Sequence, residues 1–229
     1  MKALVLAGGL GTRLRERVPD LPKPMAPVAG RPFLEYILDR LIIGGVSEII
    51  LSIGYRADLI ISHFNHIYNN IKISYAIEPE PLGTGGAIVN ALIDQNIENL
   101  LIVNGDTLVN IDYSNLIQWY MTKPDSFAIV LKEIDDIERY GSISIKNGII
   151  TGFQEKGRKG SGLINAGVYL ISTSIFNKFA LSNQFSFEKD FLQRYLTQLY
   201  PRAYLTDSFF IDIGIPIDYE RAQIELPLL

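Results

Sequence analysis

The chain has 229 residues and contains no cysteine. This absence excludes disulfide-stabilised scaffolds, thiolate catalysis and cysteine-ligated zinc or iron–sulfur sites. An excess of basic residues is also lacking, because 21 Lys and Arg stand against 25 Asp and Glu and the formal net charge is −4. A protein that binds duplex nucleic acid by counterion release is expected to be basic, so we expect no nucleic-acid partner.

Long apolar runs are absent as well. The longest, such as Leu100–Val103 and Ala128–Leu131, have the length of a β-strand and fall far short of the roughly 18 residues that a membrane span needs. The first residues, MKALVLAGG, have the lysine and apolar stretch of a short signal peptide but no cleavage-type sequence after it. We therefore expect a cytoplasmic protein with no membrane partner, whose first apolar run is a buried strand.

What the sequence does contain is an alternation of strand-like and helix-like segments. Apolar runs rich in Val and Ile have the composition of parallel strands buried on both faces, at Ala3–Leu6, Ile49–Ile53, Ile73–Ile77 and Leu100–Val103. Helical patterns fill the intervals, at Phe33–Ile43, Ala57–Phe64, Thr84–Ile93 and Asn115–Met121. This order predicts an α/β fold with a Rossmann-like, doubly wound sheet.

After about residue 122 the pattern becomes strand-rich. Strands are predicted at Phe127–Lys132, Ser142–Ile145, Ile149–Gln154 and Ala166–Ile171, with a hairpin turn at Asn147-Gly148. A helix is predicted at Phe187–Leu199, a strand near Phe209–Ile211 and a last helix around Ile217–Glu225. Because no Pro- or Ser-rich linker divides the chain, we expect one continuous domain with a mixed sheet and a strand-rich insertion.

A glycine-rich stretch follows the first predicted strand. Gly8, Gly9 and Gly11 would let successive backbone amides form an anion-binding concavity, and Arg13 would add a forked contact to phosphate oxygens. The stretch lacks the Gly-Lys-Ser/Thr ending of a P-loop and the third glycine of the dinucleotide fingerprint. Taken alone, it predicts either a phosphate-binding loop or a tight turn.

Three charged side chains farther along the chain are candidate site residues. Pro22 and Pro24 flank Lys23 and hold its backbone, which favours a placed cation over a solvated surface lysine. Asp106 and Asp212 each follow an apolar strand pattern, and ligands bind at the carboxyl ends of such strands. Read alone, either aspartate could be a turn or capping residue.

Together these stretches resemble the sugar-1-phosphate nucleotidyltransferase family, whose members make nucleotide-sugars from a nucleoside triphosphate. The resemblance is carried by GGLGTRL, PKPMAPVAGRP, Glu78–Ala87, Asn104–Asp106, Gly152–Lys156, Ile164–Gly167 and Phe210–Gly214. It implies a nucleotide-diphospho-sugar transferase-like fold with a nucleotide-binding half over residues 1–122 and a sugar-binding half over residues 123–229. It also implies a bare catalytic domain over residues 1–229, because the short stretch after Asp212 leaves no room for the further domains of larger relatives.

The resemblance assigns roles to individual residues. It implies catalytic roles for Arg13, Lys23, Asp106 and Asp212. It implies nucleotide binding by Leu6, Ala7, Gly8, Gly9, Gly11, Thr12, Arg13, Lys23, Glu78, Gly83, Thr84 and Asp106, with the nucleoside against the backbone of 83–86. It implies sugar-phosphate binding by Gly141, Glu155, Lys156, Asn165 and Glu188. The implied cofactor is Mg²⁺, held by Asp106 and Asp212.

The implied reaction is an in-line attack of the sugar 1-phosphate on the α-phosphorus of the triphosphate, with loss of pyrophosphate. The nucleophile is already anionic, so the site needs positioning and charge cancellation and no general base. Lys23 would face the α-phosphoryl group and Lys156 would anchor the phosphate of the sugar. Glu78 could accept two hydrogen bonds from guanine or one from uracil.

Within the family, three stretches are most similar to the branch that transfers guanylate from GTP to a manno-configured heptose 1-phosphate. These stretches are Lys23–Arg31, Tyr140-Gly141 and Phe185–Asp190. The alternatives are an N-acetylmuramate 1-phosphate uridylyltransferase, a mannose-1-phosphate guanylyltransferase and a catalytically silent regulatory subunit that binds sugar-nucleotides. A glycosyltransferase is less favoured, because the sequence has no Asp-x-Asp motif. A homodimer is left open.

The two histidines are the remaining candidate metal ligands. His63 and His66 lie three residues apart in a predicted helix and could offer two nitrogens to a metal. No third ligand candidate is close to them in the sequence, so we expect both on the surface.

Overall fold

The computed structural model describes residues 1–9, 14, 18–122 and 127–229. The strands are β1 (Lys2–Leu6), β2 (Pro27–Val28), β3 (Arg31–Pro32), β4 (Glu48–Ile53), β5 (Ile67–Tyr68), β6 (Ile71–Ile77), β7 (Asn99–Asn104), β8 (Thr107–Val109), β9 (Ala128–Ile134), β10 (Ile143–Lys146), β11 (Ile149–Phe153), β12 (Gly162–Ser172), β13 (Arg202–Thr206) and β14 (Phe210–Asp212). The helices are α1 (Phe33–Ile43), α2 (Ala57–Phe64), α3 (Gly83–Leu92), α4 (Tyr113–Met121), α5 (Leu196–Leu199) and α6 (Pro216–Glu225). Shorter 3-10 turns lie at Lys23–Met25, Thr173–Lys178 and Leu226–Leu228, and a π-helix at Phe187–Gln193.

A ten-stranded mixed sheet, in the order β10-β11-β13-β9-β12-β7-β1-β4-β6-β5, forms the centre of the fold. Strands β7, β1, β4 and β6 run parallel, whereas β12 runs antiparallel to both β7 and β9. The predicted mixed α/β fold is therefore confirmed. Because β12 pairs with β7, the sheet continues from the first half of the chain into the second.

Apolar side chains cover both faces of the central strands. Ala3 and Val5 of β1 join one core cluster with α1, whereas Leu4 points into a second cluster with Ile88 of α3 and Phe187. This two-sided burial explains why β1 is continuously apolar after Lys2. Strand β6 differs from the prediction, since only Ile73 of its seven residues is buried, as befits a strand beside the short edge strand β5.

Several local predictions are confirmed by the structure. Helices α1 and α2 have the predicted bounds, and the first ends at Gly44 and Gly45. The hairpin turn between β10 and β11 has Asn147 at φ +52° and Gly148 at φ +75°, the conformation that a type I′ turn requires. No helix in the described part of the chain is long and apolar enough to cross a membrane.

Several elements differ from the sequence-based prediction. The helix expected over Phe187–Leu199 is divided into the π-helix and the short α5, which periodicity could not foresee because Phe187 and Phe191 are buried in either geometry. Strand β13, which pairs parallel with β9, was missed because its sequence RAYLT mixes polar and apolar residues. Strand β14 lies where a strand was expected, but it pairs with β8 outside the central sheet.

Candidate active site

A cavity of about 630 Å³ lies at the carboxyl edge of the parallel strands. Leu6 at the end of β1 pairs with Ser52 of β4 and with Asn104 of β7, so the three strands end together. Ligands bind at this edge in open α/β sheets, and the volume suits a small-molecule site. The cavity is lined by Leu6, Gly8, Gly9, Lys23, Pro24, Gly54, Tyr55, Glu78, Pro79, Glu80, Pro81, Gly83, Thr84, Ala87, Asn104, Asp106 and Gly214.

Lys23 lies between two carboxylates at the wall of this cavity. It opens a 3-10 turn that follows the extended Pro22, so its backbone is held between prolines as expected. Its Nζ donates a hydrogen bond to Asp106 Oδ2 at 2.7 Å and lies 3.5 Å from Asp212 Oδ1. The structure therefore brings together three of the four residues predicted to be catalytic, and the lysine side chain is only 11% exposed.

The two aspartates meet because two short strands pair. Strands β8 and β14 are antiparallel, with Asp212 opposite Thr107, the residue after Asp106. The Ile213 amide also donates to the Asp106 carbonyl oxygen at 3.1 Å. Strand pairing thus places side by side two carboxylates that are far apart in the chain.

The electrostatics of Asp212 reflect this crowding. Burial raises the pKa of its carboxyl above the ordinary value, the Lys23 ammonium opposes the rise, and the Asp106 carboxylate adds to it. The Gly214 amide donates to Asp212 Oδ1 at 2.7 Å and so favours the charged form. The Lys23 ammonium and the Gly214 amide thus both favour the charged form of Asp212.

The donor set at this position fits a divalent cation that is completed by substrate oxygens. Asp106 and Asp212 both reach the single point that the Lys23 ammonium occupies. A Cβ on Gly214 would lie 2.7 Å from Asp212 Oδ1, so glycine at this position leaves room for the Asp212 carboxylate. Within the described ranges no group of three or more His, Asp or Glu could hold a metal, so other ligands would have to come from phosphates or water.

Glu78 also lines the cavity, and hydrogen bonds hold both oxygens of its carboxylate. Its Oε1 accepts a hydrogen bond from Ser52 Oγ at 3.0 Å, and its Oε2 accepts one from the Leu82 amide at 3.2 Å. Gly8 makes room for it, because a Cβ there would lie 2.6 Å from Oε1. Each oxygen keeps a second lone pair for a ligand in the cavity.

The predicted phosphate loop is described only in part. Leu6, Gly8 and Gly9 line the cavity, and the buried Ala7 donates its amide to the Ser52 carbonyl oxygen at 2.8 Å. Gly11, Thr12 and Arg13 lie outside the described residues, so their predicted contacts with phosphate stay predictions.

Gly83 and Thr84 line the cavity at the start of α3, as expected of nucleotide-binding residues. The next two glycines do not line the cavity. Gly85 and Gly86 are buried against Phe185 and Asn183 of the second half, and neither lines the cavity. Gly85 and Gly86 therefore pack against the second half, and their predicted contact with a nucleoside stays a prediction.

Asn165 and Glu188, two predicted sugar-binding residues, are in direct contact. Asn165 Nδ2 donates to Glu188 Oε1 at 2.5 Å and to the hydroxyl of Tyr169 at 2.7 Å. Tyr169 was missed in the sequence because it follows the apolar pattern of β12. Burial, and then the Glu188 carboxylate, raise its pKa well above the ordinary value, so it remains a neutral hydrogen-bonding group.

None of the five predicted sugar-binding residues, Asn165 and Glu188 included, is among those that line the cavity. Glu155 and Lys156 are exposed on the loop after β11. Gly141 is held against this loop, where a Cβ would lie 2.7 Å from the Gln154 carbonyl oxygen. The Gly157 amide donates to the Glu138 carbonyl oxygen at 2.9 Å, so the loop is hydrogen-bonded to the segment before Gly141.

An ion pair that sequence reasoning missed anchors that segment. Arg139 Nη2 lies 2.7 Å from Asp218 Oδ2, and Arg221 Nη1 lies 3.2 Å from Asp218 Oδ1. Asp218 is 4% exposed and belongs to the first turn of α6. Tyr140 packs edge-on against Phe210 of β14 at 6.1 Å, and burial, with Asp212 nearby, raises the pKa of Tyr140 to about 12.

We expect Asp218→Asn to lower the free energy of unfolding by about 2 kcal/mol, because it removes charge-assisted hydrogen bonds from a buried acceptor and leaves two guanidinium groups facing each other. Urea unfolding measures the difference. Asp94→Asn is the matched control, since Asp94 is exposed. Equal stability of the two variants would show that solvent screens the ion pair.

The histidines lie on the surface, as predicted. Both are exposed, and His63 Nε2 lies 2.7 Å from Glu35 Oε1 in a contact between α2 and α1. In the part of the chain that the structure describes, neither histidine belongs to a group of three or more potential metal ligands.

Comparisons with known proteins agree with this geometry. The sequence profile of the nucleotidyl transferase family matches residues 2–227. The chain is 44% identical over 226 residues to D-glycero-alpha-D-manno-heptose 1-phosphate guanylyltransferase from Aneurinibacillus thermoaerophilus, which covers 99% of this chain and 98% of that protein. The protein of the same name from Campylobacter jejuni is 44% identical over 221 residues, with 96% and 97% covered.

A solved structure is similar over nearly the same length. HddC from Yersinia pseudotuberculosis, complexed with GMP-PN, superposes with a TM-score of 0.84 and 41% identity, and the match covers 97% of each chain. The resemblance that the motifs carry in the sequence is therefore confirmed. The chain belongs to the nucleotidyl transferase family.

Proposed function

We propose that this protein transfers guanylate from GTP to D-glycero-α-D-manno-heptose 1-phosphate, giving GDP-heptose and pyrophosphate. The observation that carries the proposal is the similarity, along almost the whole chain, to two proteins named for that reaction. The GMP-PN complex of the similar Yersinia protein supports a guanine nucleotide as the donor. Such a reaction belongs in the cytoplasm, where nucleoside triphosphates are available.

The chemistry requires two polyanions to approach each other. Lys23, held at the cavity wall by Asp106 and Asp212, would contact the α-phosphoryl group and offset the charge that develops there. The two aspartates would hold Mg²⁺, which supplies Lewis-acid neutralisation of the phosphate oxygens when bound. The attacking oxygen belongs to a phosphate that is anionic at neutral pH, so no residue has to act as a general base.

Glu78 is the proposed base-recognition residue. With Ser52 and Leu82 holding its two oxygens in place, the carboxylate can accept hydrogen bonds from both N1–H and the 2-amino group of guanine. Uracil offers only one such donor, its N3–H. The fixed, two-oxygen orientation supports guanine over uracil.

The remaining roles concern phosphates and sugar. Gly8, Gly9 and, beyond the described residues, Arg13 would bind the β- and γ-phosphates, with the sugar hydroxyls contacted by Gly141, Glu155, Asn165 and Glu188. Lys156 would anchor the sugar phosphate, which requires its exposed loop to close over the site. A homodimer stays a prediction.

A pyrophosphate-release screen tests the function. Four nucleoside triphosphates are each combined with heptose, mannose, glucose and N-acetylmuramate 1-phosphates in the presence of Mg²⁺. We expect the highest kcat/KM for GTP with the heptose 1-phosphate. Preference for UTP with N-acetylmuramate 1-phosphate, or for GTP with mannose 1-phosphate, would replace the proposed substrates. No release from any pair would favour the regulatory subunit.

We expect Lys156→Ala to raise the KM for the sugar 1-phosphate by about tenfold or more while the KM for GTP changes little, because a lost charge-assisted contact to one substrate weakens that substrate alone. Initial rates at varied concentrations of each substrate measure the two constants. Lys146→Ala, which changes another exposed lysine, on β10, is the control. An effect confined to GTP would move Lys156 out of the sugar site.

A further inference from the structure

The glycines at the start of α3 pack against a segment of the second half, residues 183–187, called here the docked segment. A Cβ on Gly85 would lie 2.1 Å from the ring of Phe185, and one on Gly86 would lie 2.3 Å from the Asn183 carbonyl oxygen. Gly83, at φ +71°, is equally close, with 2.6 Å to the Phe185 carbonyl oxygen. These glycines are therefore required by close packing between the two halves of the chain.

Hydrogen bonds fasten the docked segment to the same stretch. The Phe185 amide donates to the Leu82 carbonyl oxygen at 3.0 Å, and the Gly85 amide donates to the Phe185 carbonyl oxygen at 3.0 Å. The Phe187 amide donates to Thr84 Oγ1 at 2.9 Å. Thr84 lines the nucleotide cavity, and through this hydrogen bond its side chain holds the backbone of the docked segment.

Phe187 immediately precedes Glu188, and its own position is tightly defined. It is 1% exposed, and its ring meets that of Tyr169 edge-on at 5.1 Å. Glu188 Oε1 in turn accepts hydrogen bonds from Asn165 and from the Tyr169 hydroxyl. The carboxylate is therefore oriented from two sides, by its partners on β12 and by the backbone that Thr84 holds.

We propose that Thr84 is a positioning residue for the sugar, acting through the Phe187 amide to place Glu188. The assignment rests on the proposed function, in which Glu188 contacts the sugar 1-phosphate. Because its hydroxyl accepts the Phe187 amide, Thr84 acts on the acceptor substrate although its side chain lies on the nucleotide cavity. The Thr84 hydroxyl thus links the nucleotide cavity to the backbone that carries Glu188.

Thr84→Val tests this role, because valine preserves the shape but cannot accept the hydrogen bond of the Phe187 amide. An unsatisfied donor of this kind typically changes an equilibrium about tenfold, so we expect the KM for heptose 1-phosphate to rise about tenfold. The KM for GTP should rise by a clearly smaller factor, because valine keeps the shape that Thr84 presents to the nucleotide cavity. Thr84→Ser retains the acceptor and should restore the sugar KM.

A double-mutant cycle separates positioning from a general loss of structure. If Thr84 acts through Glu188, Thr84→Val should add little to the sugar KM in a Glu188→Ala background. Thermal unfolding of all variants verifies that they are folded at the assay temperature. Independent, multiplicative effects of the two substitutions would overturn the proposal.

The same kinetic experiment distinguishes the two proposals from each other. A wild-type protein that makes no GDP-heptose overturns the proposed function and, with it, the role of Thr84. An active wild type whose Thr84→Val variant loses affinity for GTP and keeps its sugar KM overturns the positioning role alone. In that case the threonine is a direct nucleotide ligand.

Discussion

Asp212→Asn is expected to lower kcat by about a thousandfold without destabilising the fold. The loss of turnover follows from the removal of one of two carboxylates that can hold a divalent cation beside the reacting phosphates. Asparagine keeps the oxygen that accepts the Gly214 amide, so the local backbone is preserved. Pyrophosphate release at saturating substrates measures the effect, with the exposed Asp94→Asn as control.

The stability of this variant should be equal to that of wild type or higher. Burial raises the pKa of Asp212, so the folded state binds a proton more readily than the unfolded state. Protonated Asp212 therefore stabilises the folded state fully at pH values below the pKa of this carboxyl in the unfolded chain. This stabilisation is lost as the pH rises through the pKa of the carboxyl in the folded state, so at neutral pH the charged carboxylate opposes folding. A marked fall in Tm at pH 7, or unchanged turnover, would contradict the assignment of Asp212 as a metal ligand whose charge opposes folding.

Lys23→Gln is expected to lower kcat by about a hundredfold or more and, unlike Asp212→Asn, to destabilise the protein. The ammonium is the only cation that the described contacts give to Asp106 and Asp212. Without it, both carboxylates face each other at the cavity wall, and the pKa of Asp212 loses the group that lowers it. The destabilisation should therefore be greatest at neutral and higher pH and should diminish as the pH falls and protonation of the carboxyl relieves the repulsion.

Combining the substitutions tests the geometry behind both predictions. Asp212→Asn should recover much of the stability that Lys23→Gln loses, because it removes the repulsion, but it should not recover turnover. Lys146→Gln, at an exposed lysine of β10, controls for the change of charge. Additive changes in the free energy of unfolding would show that Lys23 and Asp212 do not interact.

Local sequence was sufficient for the four helices and the long parallel strands of the first half, but not for its short strands. Helix α1 repeats its apolar residues at helical spacing, and the core faces of Leu34 and Leu38 are fully buried. Strand β1 is apolar from Ala3 to Leu6 because the sheet is covered on both sides. The apolar pattern of one element reflects its own burial in a continuous core. It can therefore be recognised without knowing which other element packs against it.

The sequence identified the candidate residues of the site but not the contacts between them. The motifs marked Lys23, Asp106 and Asp212 as site residues through family resemblance, but no spacing shows that one ammonium touches both carboxylates. That contact depends on the antiparallel pairing of β8 with β14, which joins segments far apart in the chain. Residue periodicity carries no information on which distant segment supplies the partner strand.

The sequence by itself determined the α/β class, the parallel strands that converge on a cavity, and the charged residues around it. Only the tertiary structure decided that Gly85 and Gly86 receive the docked segment and that Asp218 anchors the loop of Arg139. Regular elements arise from local periodicity, which a sequence displays directly. Contacts between loops depend on the register and packing of the whole sheet, which no local stretch encodes.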